Sequence, residues 1–155
     1  LQAIEPDLVV MMPHGRLTLG QADEARAWLT ARNIPMLAPV SLFQPYEDWM
    51  KDQQGFAGAL LTMNVVLPEI DGAVAPYAVN AQFPDADGNQ VFKAIPERLE
   101  RFVGMVEKWL KLKRAANADK RVAIVYYKGP GQNAMAAADL EVLPSLYATL
   151  RRLRD

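Results

Sequence analysis

Apolar and polar positions alternate along this chain in patterns that predict both strands and helices. Leu8-Val9-Val10-Met11-Met12 is a short continuous apolar run after Pro6-Asp7 and reads as a strand buried on both faces. From Gln21 to Arg32 the apolar residues Ala22, Ala25, Trp28 and Leu29 recur at helical spacing, with Asp23 and Glu24 placed where a helix dipole favours acids. Asn33 and Pro35 end that helix, and Met36-Leu37-Ala38-Pro39-Val40 follows as a second short strand. Strand, helix and strand in this order make a βαβ unit, so the two strands are expected to be parallel.

Further on, Pro45-Tyr46-Glu47-Asp48-Trp49-Met50 predicts a short helix, and Phe56–Asn64 a helix by its Ala, Leu and Met content. Val74–Phe83 and Gln90–Ile95 flank the turn-rich Pro84-Asp85-Ala86-Asp87-Gly88-Asn89 and read as a hairpin, with Pro76 suggesting a sheet edge. After Pro96, Leu99, Phe102, Val103, Val106, Trp109 and Leu110 mark an amphipathic helix, its charged face read as solvated. Arg121–Tyr127 restarts as a buried strand, Lys128–Asn133 is a glycine-containing loop, and Leu140–Arg154 is helical.

These elements predict a three-layer α/β fold of Rossmann-like or flavodoxin-like type with a mostly parallel sheet. Its strands are expected near 7–12, 36–40 and 122–127, covered by helices near 21–32, 97–114 and 140–154. The hairpin at 74–95 is expected to stand off as an inserted antiparallel addition. The polar, small-residue stretch Ala115–Lys120 is the best boundary. Residues 1–115 read as one α/β module, and 116–155 as a linker plus the first strand-loop-helix of a second, truncated module, as in a piece of a longer polypeptide.

Composition narrows the classes. The 155 residues are 51% hydrophobic with a formal net charge of −1, which supports a real core and gives no argument for nucleic acid. No apolar run approaches ~20 residues, so no membrane span is expected. The cysteine count of 0 excludes thiolate ligands and cysteine nucleophiles and fits a cytoplasmic protein. No Gly-x-Gly-x-x-Gly follows any strand, so a dinucleotide-binding enzyme is disfavoured; Lys128-Gly129-Pro130-Gly131 lacks the Walker spacing, so ATP is not expected to bind here.

The chemistry concentrates in Thr62-Met63-Asn64-Val65-Val66-Leu67-Pro68-Glu69-Ile70-Asp71-Gly72. An apolar run stops at Pro68, which is expected to end regular structure, and two carboxylates precede a glycine that permits a sharp turn. Asp-Gly is equally an ordinary turn dipeptide. His14, the single histidine, and Arg16 lie in the loop after the first strand, where open α/β sheets place ligands. His14 could ligate a metal or be incidental, and Arg16 could pair with a carboxylate or be a surface charge.

Together with Pro39-Val40-Ser41-Leu42-Phe43-Gln44, Glu47-Asp48-Trp49, the helix end Trp109–Arg114 and Lys120–Tyr127, this stretch resembles the large subunits of class II tetrapyrrole metal chelatases, of the CobN type and the magnesium-chelatase type. The resemblance implies an internal α/β portion of a large chain that inserts a divalent metal, cobalt or magnesium, into a porphyrin or corrin. It also implies AAA+ ATPase partners that hydrolyse ATP elsewhere, and no activity for this segment alone. Pro-Glu-Ile-Asp-Gly maps onto the family's motif and makes Glu69 the candidate base and metal ligand, joined by His14 as metal ligand. Arg16 and Asp71 are the candidate substrate-binding residues, although Asp71 fits a turn role as well. A carboxylate partly desolvated beside Pro68 and Ile70 would suit proton acceptance. The turn Pro13–Gly20 lacks the glycine-rich character of magnesium-type members and favours the CobN-like branch. A haem-directed dechelatase of the same family, or a non-catalytic α/β small-ligand module, are the alternatives.

Overall fold

The computed structural model describes residues 4–12, 15–18, 20–125 and 141–154. The chain divides into two compact units, Leu1–Ala118 and Asp119–Asp155.

The first unit is built on a four-stranded sheet in the order β1-β2-β3-β4: Val9–Val10, Met36–Pro45, Ala73–Pro84 and Gln90–Ala94. β1 and β2 pair in parallel, as do β2 and β3, while β3 and β4 are antiparallel. The expected βαβ unit is present, with α1 at Ala22–Ala31 joining β1 to β2.

β2 is the spine, and residues 36–40 are all buried, because it has a neighbour on each edge and a helix on each face. Met36 and Ala38 pack with Leu29 and Trp28 of α1, whereas Leu37, on the opposite face, packs with Phe102. Phe102 belongs to α5, Pro96–Arg114, which adds Met105, Val106 and Trp109 to the same cluster. Leu99 and Val103, expected on that buried stripe, remain 42% and 51% exposed. Farther along β2, Val40 and Leu42 meet Ala78, Ala81 and Ile95 under Tyr46 and Trp49 of α2, Tyr46–Lys51.

Several expectations need correction. The hairpin does not stand apart, since its first strand, β3, is the third parallel strand and occupies the place expected for 122–127. Pro76 suggested an edge, but the ladder with β2 shifts register here and Ala75 takes φ 56°, a bulge that absorbs the missing N–H. Pro39 sits at a register shift in the same ladder. β1 is shorter than expected and is not buried on both faces, with Val10 46% exposed, because it is an edge strand.

In the second unit, residues 121–125 form no strand and are exposed. A run of β-formers becomes a strand only where a partner supplies the ladder. The rest of that expected strand and the 128–133 loop lie outside the described residues. α6 spans Val142–Arg154.

Candidate functional site

The site grows from an irregular helix. Residues 58–70 are helical throughout, as α3 (Gly58–Leu61), a π turn (Thr62–Val66) and α4 (Leu67–Ile70). Pro68 therefore does not end the helix, as its place after Val65-Val66-Leu67 suggested; it lies buried inside it. The π turn is what admits it. The Leu67 N–H goes to the Thr62 carbonyl, five residues back, and proline offers no N–H at the next position. The Met63 carbonyl thereby loses both of its possible helical donors, Leu67 and Pro68. It accepts instead from the Gly15 N–H at 3.1 Å. Gly15 is buried with φ 103°, a conformation suited to glycine, so the loop after β1 can approach the helix closely.

The helix ends in a tight turn. The Asp71 N–H donates to the Pro68 carbonyl at 3.1 Å and the Gly72 N–H to that of Glu69 at 2.9 Å; Gly72 has φ 94°, and β3 begins at Ala73. This turn aims the Asp71 side chain inward, where it is wholly inaccessible. Arg16 Nε donates to Asp71 Oδ1 at 2.7 Å, with Arg16 Nη2 2.6 Å from the same oxygen, and the Leu17 N–H donates to Oδ2 at 2.7 Å. Arg16's hydrogen bond holds the Asp71 carboxyl below the usual carboxylate range, aided by the Leu17 amide and the charges of Arg16 and Arg26, against the opposing effect of burial. The same bond pushes the Arg16 guanidinium further up. Arg26 steadies the turn from α1, donating to the Ile70 carbonyl at 3.1 Å and to Asp23 at 2.8 Å.

Two candidates from the sequence are thus brought together across 55 positions. Asp71, expected to touch substrate, is instead closed off by its partners, so its role here is to hold the loop. Arg16 keeps 34% of its side chain exposed and lines a cavity of about 450 Å³ together with Thr18, Gly20, Gln21, Ala22, Asp23 and Glu24. The Thr18 hydroxyl is buried without a hydrogen-bond partner among the described residues.

Glu69 sits on the last turn of the same helix, exposed, and enters none of the ion pairs among the described residues. The expected desolvation beside Pro68 and Ile70 is absent, since Ile70 is itself 48% exposed. Nor does Glu69 line the Arg16 cavity or the second one, of about 270 Å³, walled by Arg26, Leu29, Asp71, Val74, Trp109 and neighbours. His14 lies outside the described residues. Among the described residues no group of three or more acidic, histidine or cysteine side chains could hold a metal ion, and no helix is long and apolar enough to cross a membrane.

Sequence reasoning missed the Asp71–Arg16 pair, the Gly15–Met63 bond and Asn64. Asn64 is 2% exposed, donates to the Leu60 carbonyl at 2.9 Å, and keeps its Oδ1 without a partner among the described residues. Pro68 carried a usable signal, because a proline within a helix leaves carbonyls upstream that need donors from elsewhere.

Relatives place this geometry in context. The large magnesium-chelatase chain of Chlorobaculum parvum, its H component, is 36% identical over 147 residues, which cover 92% of this chain and 11% of that protein. The aerobic cobaltochelatase subunit CobN of Pseudomonas aeruginosa is 29% identical over 64% of this chain. The catalytic subunit of cobaltochelatase from Mycobacterium tuberculosis is structurally similar, with a TM-score of 0.59 and 27% identity over 74% of this chain and 11% of that one. The chain therefore spans about a tenth of the length of these relatives. Identity is higher to the Chlorobaculum magnesium-chelatase chain than to the Pseudomonas CobN, so it lends no support to the CobN-like leaning taken from the Pro13–Gly20 turn. The family model for CobN/Magnesium Chelatase matches residues 1–155, and the chain belongs to that family.

Proposed function

We propose that this chain is a segment of the large subunit of a metal chelatase, contributing part of the surface on which a divalent metal, cobalt or magnesium, enters a tetrapyrrole. The observation that carries this reading is the family match over the whole chain, with its Pro68-Glu69-Ile70-Asp71-Gly72 motif folded as one unit: a buried proline, an exposed carboxylate and a clamped turn. Inserting a divalent ion requires loss of the two pyrrole protons. An exposed carboxylate that has no ion-pair partner among the described residues is free to accept a proton or contact an incoming cation. Glu69 takes that role, with His14 as a further metal ligand.

Arg16 supplies a charged group for a substrate carboxylate. Its Nε–Nη2 edge is committed to Asp71, and Nη1 remains for a ligand. ATP is hydrolysed by partner ATPase subunits of the AAA+ type, and the segment alone has no chelatase activity.

The test uses the full-length parent chain, with and without its ATPase partners, porphyrin and Mg²⁺ or Co²⁺, followed by the absorbance change on metallation. ATP-dependent insertion supports the proposal. Tetrapyrrole binding with no metallation under any metal would make the protein a binding module instead.

A further inference from the structure

We propose that Asp71 is a positioning residue, which presents Arg16 to a carboxylate on the substrate's periphery. The proposal rests on the reading of Arg16 given above and goes beyond it by naming what holds that side chain and why.

The guanidinium has a fork at Nε and Nη2 and a second donor group at Nη1. Asp71 takes the fork, at 2.7 Å from Nε and 2.6 Å from Nη2, both through Oδ1. Nη1 makes no bond to the described residues, and Arg16 lines the cavity of about 450 Å³ at the start of α1. An arginine serving only to neutralise Asp71 could sit fully inside the protein. Here the carboxylate is 0% exposed and the guanidinium side chain 34%, so the pair is asymmetric, anchored within and open without.

The backbone is fixed on both sides of Arg16. The Gly15 N–H is held by the Met63 carbonyl at 3.1 Å, and the Leu17 N–H by Asp71 Oδ2 at 2.7 Å. One buried carboxylate therefore sets the Arg16 side chain and the backbone after it, while the π turn sets the backbone before it. Ordering a free arginine on ligand binding costs conformational entropy; ordering it in advance removes that cost from the binding step. Because Pro68, Glu69 and Asp71 lie on one helical end, the clamp also ties the Arg16 loop to the element that carries Glu69.

Lysine could not substitute. A single ammonium paired with Asp71 has no second rigid edge for a ligand.

The test is a double-mutant cycle in the full-length chain with its ATPase partners. Dissociation constants are measured by fluorescence quenching with a dicarboxylate porphyrin and with its dimethyl ester, and kcat by metallation. Asp71→Asn is expected to weaken dicarboxylate binding about five- to tenfold, to leave the ester's affinity within twofold, and to leave kcat within about twofold. Arg16→Ala should lose as much, and the double variant no more than Arg16→Ala alone. Arg16→Lys, which keeps a cation beside Asp71, should fail to restore affinity, and it carries the test if Asp71→Asn does not fold.

Wild-type affinity in Asp71→Asn, Arg16→Ala or Arg16→Lys overturns the proposal. So do losses that multiply in the double variant, and an equal loss for the ester. Full insertion activity in Glu69→Gln would instead remove the catalytic assignment, without touching the affinity cycle on which Asp71 is judged.

Discussion

Replacing Asp71 with alanine removes the carboxylate that joins the loop after β1 to the helix end. Two contacts go with it, and they differ in weight. The Leu17 N–H loses a charged acceptor at 2.7 Å, in a setting where the Asp71 side chain is 0% exposed. Hydrogen bonds to charged groups contribute about 1.5–3 kcal/mol. The ion pair with Arg16 adds less, about 0–1 kcal/mol, because its cation remains in contact with water. The expected loss is about 2–3 kcal/mol, which at a urea m-value of ~2 kcal/mol/M moves the midpoint down by about 1–1.5 M. Asp71→Asn keeps the shape and one acceptor oxygen, and should lose about half as much.

Unfolding followed by tryptophan fluorescence reports on this unit, which contains Trp28, Trp49 and Trp109. The pH dependence has a definite sign. Asp71's folded pKa is depressed mainly by the Arg16 hydrogen bond, so its stabilisation is complete above the unfolded value of about 3.9 and fades as pH falls through the lower folded value. The gap between wild type and Asp71→Asn should therefore hold at neutral pH and close in acid. A loss under ~0.5 kcal/mol for Asp71→Ala, or a gap that persists at low pH, would refute this account of the clamp.

Other consequences follow from the same geometry. Pro68→Ala restores an N–H that can compete for the upstream carbonyls, so hydrogen exchange at the Gly15 amide should quicken; unchanged protection would mean that the π turn does not depend on the proline. Phe102→Ala should cost about 3–5 kcal/mol, whereas Leu99→Ala and Val103→Ala, on the exposed side of α5, should each cost under ~1 kcal/mol in the same denaturation assay.

Much of the architecture was legible from periodicity. The α1 spacing and the short run at 36–40 made the βαβ unit readable, because a helix between two apolar runs has few ways to cover a sheet. β3 was misplaced because Pro76 is a sound signal for an edge, and only the backbone shows that a bulge at Ala75 absorbs it. The 122–127 run misled in the opposite direction, since β propensity does not supply a partner strand.

At the site, the motif drew attention to Glu69 and Asp71 without distinguishing them. Their opposite fates, one exposed and one sealed, arise from the turn made by Gly72 and from a loop 55 residues away. Sequence spacing carries no information about such a pairing. The Arg16 reading as a carboxylate binder saw the chemistry of the side chain but not its first partner, which belongs to the protein itself.

The most direct measurement is metal insertion by the full-length protein carrying Glu69→Gln, assayed with its ATPase partners alongside porphyrin affinity. Glutamine keeps the size and removes the proton acceptor. The account predicts loss of insertion with tetrapyrrole affinity within roughly tenfold, about 1.4 kcal/mol, of the unsubstituted protein. Insertion at the unsubstituted rate would contradict it and take Glu69 out of the chemistry.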